Sequence, residues 1–221
     1  MTDTEIIERA TVFVKEALQN AEGGHDWFHI ERVYNNATLI AKNEDVNILV
    51  VSLGALLHDI ADAKFYDGDE TIGPKMASDF LKSLKIDSKV VGHIAQIIEN
   101  ISFKNSLDRS RKKFSSKELE VIQDADRLDA MGAIGIARAF NYGGFKNRKL
   151  HDPDIPPNLN MTKEAYKKSD SPTINHFYEK LLLLKDKMNT DAGRKLAAKR
   201  HRYMIDYLEQ FLNEWNGMNE S

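Results

Sequence analysis

Residues 51–60 read Val-Ser-Leu-Gly-Ala-Leu-Leu-His-Asp-Ile, an apolar run that is interrupted near its end by one imidazole and one carboxylate. A helix with apolar residues on every face leaves no side for water and is typical of a buried core element. We therefore predict a buried helix over residues 46–64. Because an unpaired charge is costly in such surroundings, His58 and Asp59 need a partner, and a divalent cation is one candidate.

The composition limits which kinds of site the chain can carry. It has 221 residues, 42% of them hydrophobic and 29% charged, and no cysteine. This size and balance are typical of a single globular domain with a sizeable core. The absence of cysteine excludes disulfides, cysteine-bound zinc, iron–sulfur clusters and thiol nucleophiles, so any metal must be held by His, Asp or Glu.

Charge and hydropathy exclude two classes of partner. The net charge is -3, which gives no general attraction to nucleic acid or to an anionic membrane. The first five residues are acidic rather than basic, and no apolar run is long enough to span a bilayer. We predict a cytoplasmic protein that binds neither a membrane nor a nucleic-acid polymer, and we leave monomer and homodimer open.

Helical signals cover nearly the whole chain, and no alternating strand pattern of convincing length occurs. We therefore predict an all-α fold in a single domain over residues 1–221, with a metal-binding core at about 23–140, a surface loop at about 142–171 and C-terminal helices at about 172–215. Besides 46–64, the predicted helices are 3–20, Asp26 to about 42, one from near Pro74, 88–101, 116–140 with a break at Gly132, 172–188 opened by Ser171-Pro172, and 191–215, with a further turn near 162–168.

Four side chains at inward positions of three predicted helices are candidate metal ligands. His29 lies at the edge of the inward stripe of its helix, and His58 and Asp59 are about one hundred degrees apart on the next one. A lone histidine on an apolar stripe is more often a satisfied core residue than a ligand. Two histidines and two aspartates rarely occur together at inward positions unless they share a partner, such as a metal ion.

Helical spacing selects the fourth ligand from two nearby aspartates. Asp126 shares the three-and-four rhythm of Leu119, Ile122 and Asp129, whereas Asp124 falls on the far side of that helix. The spacing therefore predicts that Asp126 faces the core and that Asp124 does not.

The order His29, His58-Asp59 and Asp126 resembles the HD superfamily of metal-dependent phosphohydrolases, which is named for its His-Asp doublet. The contexts 25–33, 56–60 and 124–130 are each similar to a segment of that family, and the likeness extends through 133–140, closest to stand-alone bacterial members. The resemblance implies an HD-type helical bundle and one divalent ion at these four residues. It implies Mn²⁺ or Mg²⁺ first, with iron, nickel or cobalt as alternatives.

Other polar residues are candidates for catalysis or substrate binding. Asp62 lies one helical turn after His58 and is predicted to orient a water or accept its proton, although a solvated helix-end carboxylate is an equal alternative. His93 and His176 are interpreted as structural or surface histidines rather than as a second metal site. The candidate phosphate or substrate contacts, each of which has a surface or structural alternative, are His25, Arg32, Lys64, Arg127, His151 and Arg200.

The resemblance implies hydrolysis of a nucleotide, most specifically of a nucleoside triphosphate to the monophosphate and pyrophosphate. The residues predicted to act in catalysis are His58, Asp59 and, from its position after His58, Asp62. A 5′-nucleotidase-type phosphomonoesterase and a cyclic-nucleotide phosphodiesterase are alternatives within the enzyme class. A non-catalytic sensor of a phosphorylated small molecule is the alternative of another class. An RNA-binding role is suggested only by the basic run 109–113, which lacks interleaved aromatics and is interpreted as solvated surface.

Overall fold

The computed structural model describes residues 1–19, 21, 26–61, 69, 71–101, 114–160 and 170–218. Throughout these residues the regular structure is helical and strands are absent, which confirms the all-α class. The chain divides into two compact units, Met1–Asp126 and Arg127–Ser221. The predicted boundaries within a single domain stay a prediction, and His25, Asp62, Lys64 and the turn near 162–168 lie outside the described residues.

The first unit consists of helices whose starts follow local capping signals. The Thr2 side chain opens the first helix in a capping box with Glu5, and the Asp26 and Asn47 side chains cap the second and third. The helices are α1 (Asp3–Ala17), α2 (Trp27–Ala41), α3 (Ile48–Leu57), α4 (Ile72–Ser83), α5 (Ser88–Asn100) and α6 (Lys117–Asp129), the last of which contains the division between the units.

Helix α3 is the centre of the first unit, as its apolar sequence predicts. Every residue from Val50 to Leu57 is buried, and α3 contacts α1, α2 and α5. The predicted extension to residue 64 is wrong, because the helix ends at Leu57, His58 is its C-cap and the amide of Ile60 bonds to the carbonyl three residues back. His58 and Asp59 therefore follow the helix rather than sharing its regular face, so the hundred-degree argument does not apply to them.

The prediction about Asp124 is also wrong. This carboxylate is fully buried, whereas Asp126 is only partly buried. Val121 and Ala125, which lie between the two aspartates around the helix, are fully buried as well. The buried face of α6 is therefore a broad arc with Asp126 near one edge, and a single apolar stripe identified only part of it.

The second unit is built around the longest helix of the described residues. The break predicted at Gly132 is confirmed, since α6 and α7 are separate and Gly132 has a left-handed φ of 70°. Rings of Phe140, Phe177 and Tyr207 pack with centroids 6.0–6.3 Å apart. The elements are α7 (Gly132–Phe145), α8 (Thr173–Glu179), a 3₁₀ helix (Leu181–Lys187) and α9 (Asp191–Trp215).

The start of α8 differs from the prediction of a serine cap followed by a first-turn proline. Pro172 itself is the N-cap, and no side chain caps the helix, which ends at Glu179 rather than near 188. A proline has no amide hydrogen to be satisfied, so it fits this position outside the first turn. The remaining turns to Lys187 form the 3₁₀ helix. Within the described residues, no helix is long and apolar enough to cross a membrane.

The loop predicted from residue 142 begins later, because α7 continues through Gly143 and Gly144 to Phe145. A Cβ at Gly143 would stand 2.2 Å from Oγ1 of Thr173, whereas one at Gly144 would meet nothing within 4 Å. Gly143 is therefore required by a close approach of α8 to α7 rather than by a chain break.

Replacing Gly143 by alanine is expected to lower the free energy of unfolding by about 1–3 kcal/mol, because the added methyl overpacks this contact. Gly144→Ala in the same helical turn is the matched control, and is expected to be neutral or to stabilise the protein by up to about 1 kcal/mol through helix propensity. Urea unfolding followed by circular dichroism measures both. Equal destabilisation by the two variants would contradict the close-packing explanation.

Candidate metal centre

Three of the four predicted ligands converge in the first unit. His29, His58 and Asp126 each offer a ligand atom, and these atoms all lie within 4.8 Å of one another. Nε2 of His29 lies 3.6 Å from Oδ1 of Asp126, and the His29 and His58 rings meet edge to face at 5.4 Å between centroids.

His29 is held by the first turn of α2. The side chain of Asp26 caps this helix and accepts a hydrogen bond of 3.0 Å from the backbone N–H of His29. The next residues on the same side, Ile30 and Val33, are fully buried. The cap and the core contacts together fix the backbone from which the imidazole extends. The Nε2 atom of this ring is directed at Asp126.

His58 is oriented by its own backbone. Its Nδ1 lies 2.8 Å from the carbonyl oxygen of Ala55. A carbonyl can only accept, so Nδ1 carries the ring proton and Nε2 keeps its lone pair. This is the arrangement in which a metal-ligating histidine donates its second nitrogen to a backbone carbonyl.

Asp126, the third residue of the group, faces solvent. The Asp126 side chain is 43% exposed, whereas that of His29 is 4% exposed. The group therefore has two buried nitrogen donors and an oxygen donor on its accessible side. A cation held by these three donors would keep open positions for water and substrate, as catalytic metal sites require.

The donor set fits a divalent cation. The 3.6 Å between His29 and Asp126 is longer than an ordinary hydrogen bond. It is close to the separation of two ligands that share one cation, about 3–3.5 Å for bonds near 2.1 Å. Mixed imidazole and carboxylate ligands suit several first-row divalent ions, so the donors do not select one of them.

Asp59 is not among the three residues whose ligand atoms lie within 4.8 Å of one another. It lies in the turn directly after His58, is partly buried, and takes part in an interaction of its own. Its role as a fourth ligand therefore stays a prediction. Arg32, one turn after His29 on α2, is also partly buried, and its substrate role is likewise a prediction.

Three predicted substrate contacts belong to the second unit and have partners there. Arg127 donates to the carbonyl of Lys187 at 2.8 Å, and the His151 ring meets the Trp215 ring edge to face at 5.1 Å. Arg200 donates to the carbonyl of Leu128. These contacts give each residue a structural role, and their predicted binding to substrate remains a prediction.

Charged groups around the α6–α7 junction explain how α9 can carry a partly buried arginine, Arg200. Burial lowers the pKa of the Arg200 guanidinium, and the carboxylate of Asp129 opposes that shift. Asp129 is itself buried and pairs with Arg138. The Asp129 carboxylate therefore acts on the charge of Arg200 as well as pairing with Arg138.

His93 and His176 are both partly buried, and neither is among the three residues of the group. Nε2 of His93 is 3.0 Å from the Ser116 hydroxyl and 3.7 Å from the Glu118 carboxylate. Burial lowers the pKa of His176 to about 4, with the positive charges of Lys180 and Arg148 acting in the same direction. His176 is therefore neutral at pH 7.

Sequence reasoning missed two polar contacts, one made by His58 itself and one made to the residue before Asp126. One is the bond from His58 to the Ala55 carbonyl, which no residue pattern encodes because the acceptor is backbone. The other is a buried hydrogen bond from the Asn36 amide to the Ala125 carbonyl. An amide side chain within the apolar stripe of α2 was its only sequence signal.

Comparison with known proteins identifies the family. A sequence model of the HD domain matches residues 27–131. A crystal structure of an HD-superfamily hydrolase from Bacillus thuringiensis is 43% identical, covers 97% of this chain and 99% of that chain, and has a TM-score of 0.79. A Lactobacillus plantarum structure is 36% identical with the same TM-score, and covers 98% of this chain and 99% of its own.

The Bacillus subtilis protein YpgQ is 34% identical over 222 residues, which is 99% of this chain and 98% of YpgQ. A crystal structure of YpgQ in complex with ADP has a TM-score of 0.75 and 34% identity, and covers 97% of this chain and 96% of that chain. The chain belongs to the HD domain family, and it is a metal-dependent phosphohydrolase of that superfamily.

We propose that His29→Ala and Asp126→Ala each weaken Mn²⁺ binding by at least about 10-fold, since each removes one of the few donors that fix a bound ion. Asp124→Ala is the matched control on the same helix. It is expected to keep its metal affinity but to lose about 1–3 kcal/mol of stability, because the partners of a buried carboxylate are left unsatisfied.

Isothermal titration of EDTA-treated protein with Mn²⁺ measures the affinity, and thermal unfolding measures the stability. Metal loss in Asp124→Ala that equals the loss in Asp126→Ala would show that the ligand on α6 is wrongly assigned.

Proposed function

We propose that this protein is a divalent-metal-dependent nucleotide phosphohydrolase that cleaves a nucleoside triphosphate to the monophosphate and pyrophosphate. The observation that carries the proposal is the group of His29, His58 and Asp126, with ligand atoms within 4.8 Å and one exposed side. The choice of a nucleotide is supported by YpgQ, a full-length relative that was crystallised with ADP.

The residues of the group have separate roles in this proposal. His29, His58 and Asp126 hold the cation, and Asp59 supplies a further carboxylate from the turn after α3. When bound there, Mn²⁺ or Mg²⁺ would lower the pKa of a water molecule and would polarise a phosphoryl oxygen. The buried imidazoles exclude water from the inner side, so that phosphate approaches past the exposed carboxylate of Asp126.

Proton transfer and phosphate binding need groups beyond the ligands. In this proposal Asp62 accepts the proton of the attacking water, since it follows the His58-Asp59 pair by only a few residues. Arg32 and Lys64, which follow His29 and the His58-Asp59 pair in the sequence, are the candidates to bind the charged phosphates. The leaving pyrophosphate needs such positive groups, because it carries more charge than a monophosphate.

The product of the reaction separates this proposal from its alternatives. A nucleoside triphosphate pyrophosphohydrolase releases pyrophosphate, a 5′-nucleotidase releases orthophosphate from a monophosphate, and a cyclic-nucleotide phosphodiesterase releases neither. A non-catalytic sensor binds nucleotide without turnover. Fold-level analogy does not choose among these chemistries.

We expect the protein, treated with EDTA and reloaded with Mn²⁺, to convert ATP or another triphosphate from a panel into the monophosphate and pyrophosphate. In water enriched in ¹⁸O, the label is expected in the monophosphate, which reports attack at the α-phosphorus. Mass spectrometry of both products measures its position. His29→Ala is the control for contaminating phosphatases and is expected to be inactive.

Each other outcome contradicts the proposal in a different way. Label in orthophosphate indicates attack at the terminal phosphorus. Release of phosphate from monophosphates alone indicates a nucleotidase. Binding of ADP with no turnover of any nucleotide in the panel indicates a sensor.

A further inference from the structure

A buried hydrogen bond joins α2 to α6 beside the candidate metal centre. The side-chain Nδ2 of Asn36 donates to the carbonyl oxygen of Ala125 at 3.3 Å. Both residues are buried, and they are 89 positions apart in the sequence. The bond is therefore a tertiary contact between two helices rather than part of a local turn.

Its two ends are both close to metal ligands. Asn36 follows His29 by seven residues, which is two helical turns, so both side chains project from the same side of α2. Ala125 directly precedes Asp126 on α6. The bond thus connects the helix that carries a nitrogen ligand with the peptide that carries the oxygen ligand.

Asp126 depends on such a connection more than the two histidines do. His29 and His58 are buried, and local bonds to Asp26 and Ala55 position them. The Asp126 side chain is 43% exposed, so core packing holds it on one side only. Its place relative to His29 is then determined mainly by how the backbone of α6 is held against α2.

We propose that Asn36 is a positioning residue for the metal centre: its amide fixes the separation of His29 and Asp126 and thereby raises the affinity for the cation. Metal ligands must be within about 0.2 Å of their ideal distances, so a small relaxation between the helices weakens binding. In this proposal Asn36 acts through the backbone of α6 and is not itself a ligand. The inference rests on the proposed metal centre and goes beyond it.

The chain offers a matched control for this bond. Nε2 of Gln123 on α6 donates to the carbonyl of Asn100 on α5, also at 3.3 Å. This is the same type of amide-to-carbonyl bond on the same helix as Asp126, but it leads away from α2. Asn36→Leu keeps most of the side-chain volume and removes the donor, whereas Asn36→Ala removes both.

We expect Asn36→Ala and Asn36→Leu to raise the Kd for Mn²⁺ by about 10- to 100-fold. This is the range for residues that orient metal ligands without binding the metal themselves. Gln123→Ala is expected to lower the melting temperature and leave the Kd unchanged. The Kd is measured by isothermal titration of the EDTA-treated full chain with Mn²⁺ alone. The melting temperature is measured separately in EDTA.

Three results overturn the inference. Asn36 variants with a lower melting temperature but the wild-type Kd would show a purely structural residue, as would Gln123→Ala with an equal loss of affinity. A wild-type protein that does not bind Mn²⁺ would contradict the metal centre itself, and the inference with it. If an Asn36 variant does not fold, Asn36→Ser replaces it, because its hydroxyl is too short to reach Ala125 and the same loss is expected.

Discussion

The burial of α3 on every side is the constraint on which the first unit depends. This helix has no polar face, so it is stable only when other helices enclose it, and α1, α2 and α5 do so. The enclosure brings the start of α2 next to the end of α3, where the two imidazoles meet at 5.4 Å. The nitrogen donors of the candidate centre are thus assembled by the same packing that forms the core.

The centre combines ligands that are held in different ways. The histidines are fixed by burial and by short-range hydrogen bonds. Their burial also excludes water from their side of the group. Asp126 lies at the edge of the broad buried arc of α6 and remains accessible. A metal-dependent phosphohydrolase needs this asymmetry, because the ion must be held firmly from one side while phosphate and water reach it from the other.

Sequence patterns predicted which helices form better than where they end or how wide their buried faces are. The apolar run of α3, the Asp26 cap and the break at Gly132 are local signals, and the structure agrees with each. The burial of Asp124 was missed because a three-and-four rhythm finds one stripe and cannot measure the width of a buried arc. The loop was predicted to begin too early, at 142, because Gly143 belongs to α7 and allows the close approach of Thr173, which lies 30 positions further along the chain.

The bond between the His58 ring and the Ala55 carbonyl has a consequence for the exchange of ions. A cation at Nε2 of His58 would meet an imidazole that is already in the ligating tautomer, because the carbonyl acceptor keeps the proton on Nδ1. Exchange of one divalent ion for another then requires no rearrangement of this ligand. Selection among divalent ions would then depend on the donor types, their geometry and the cellular supply, rather than on a rearrangement of His58.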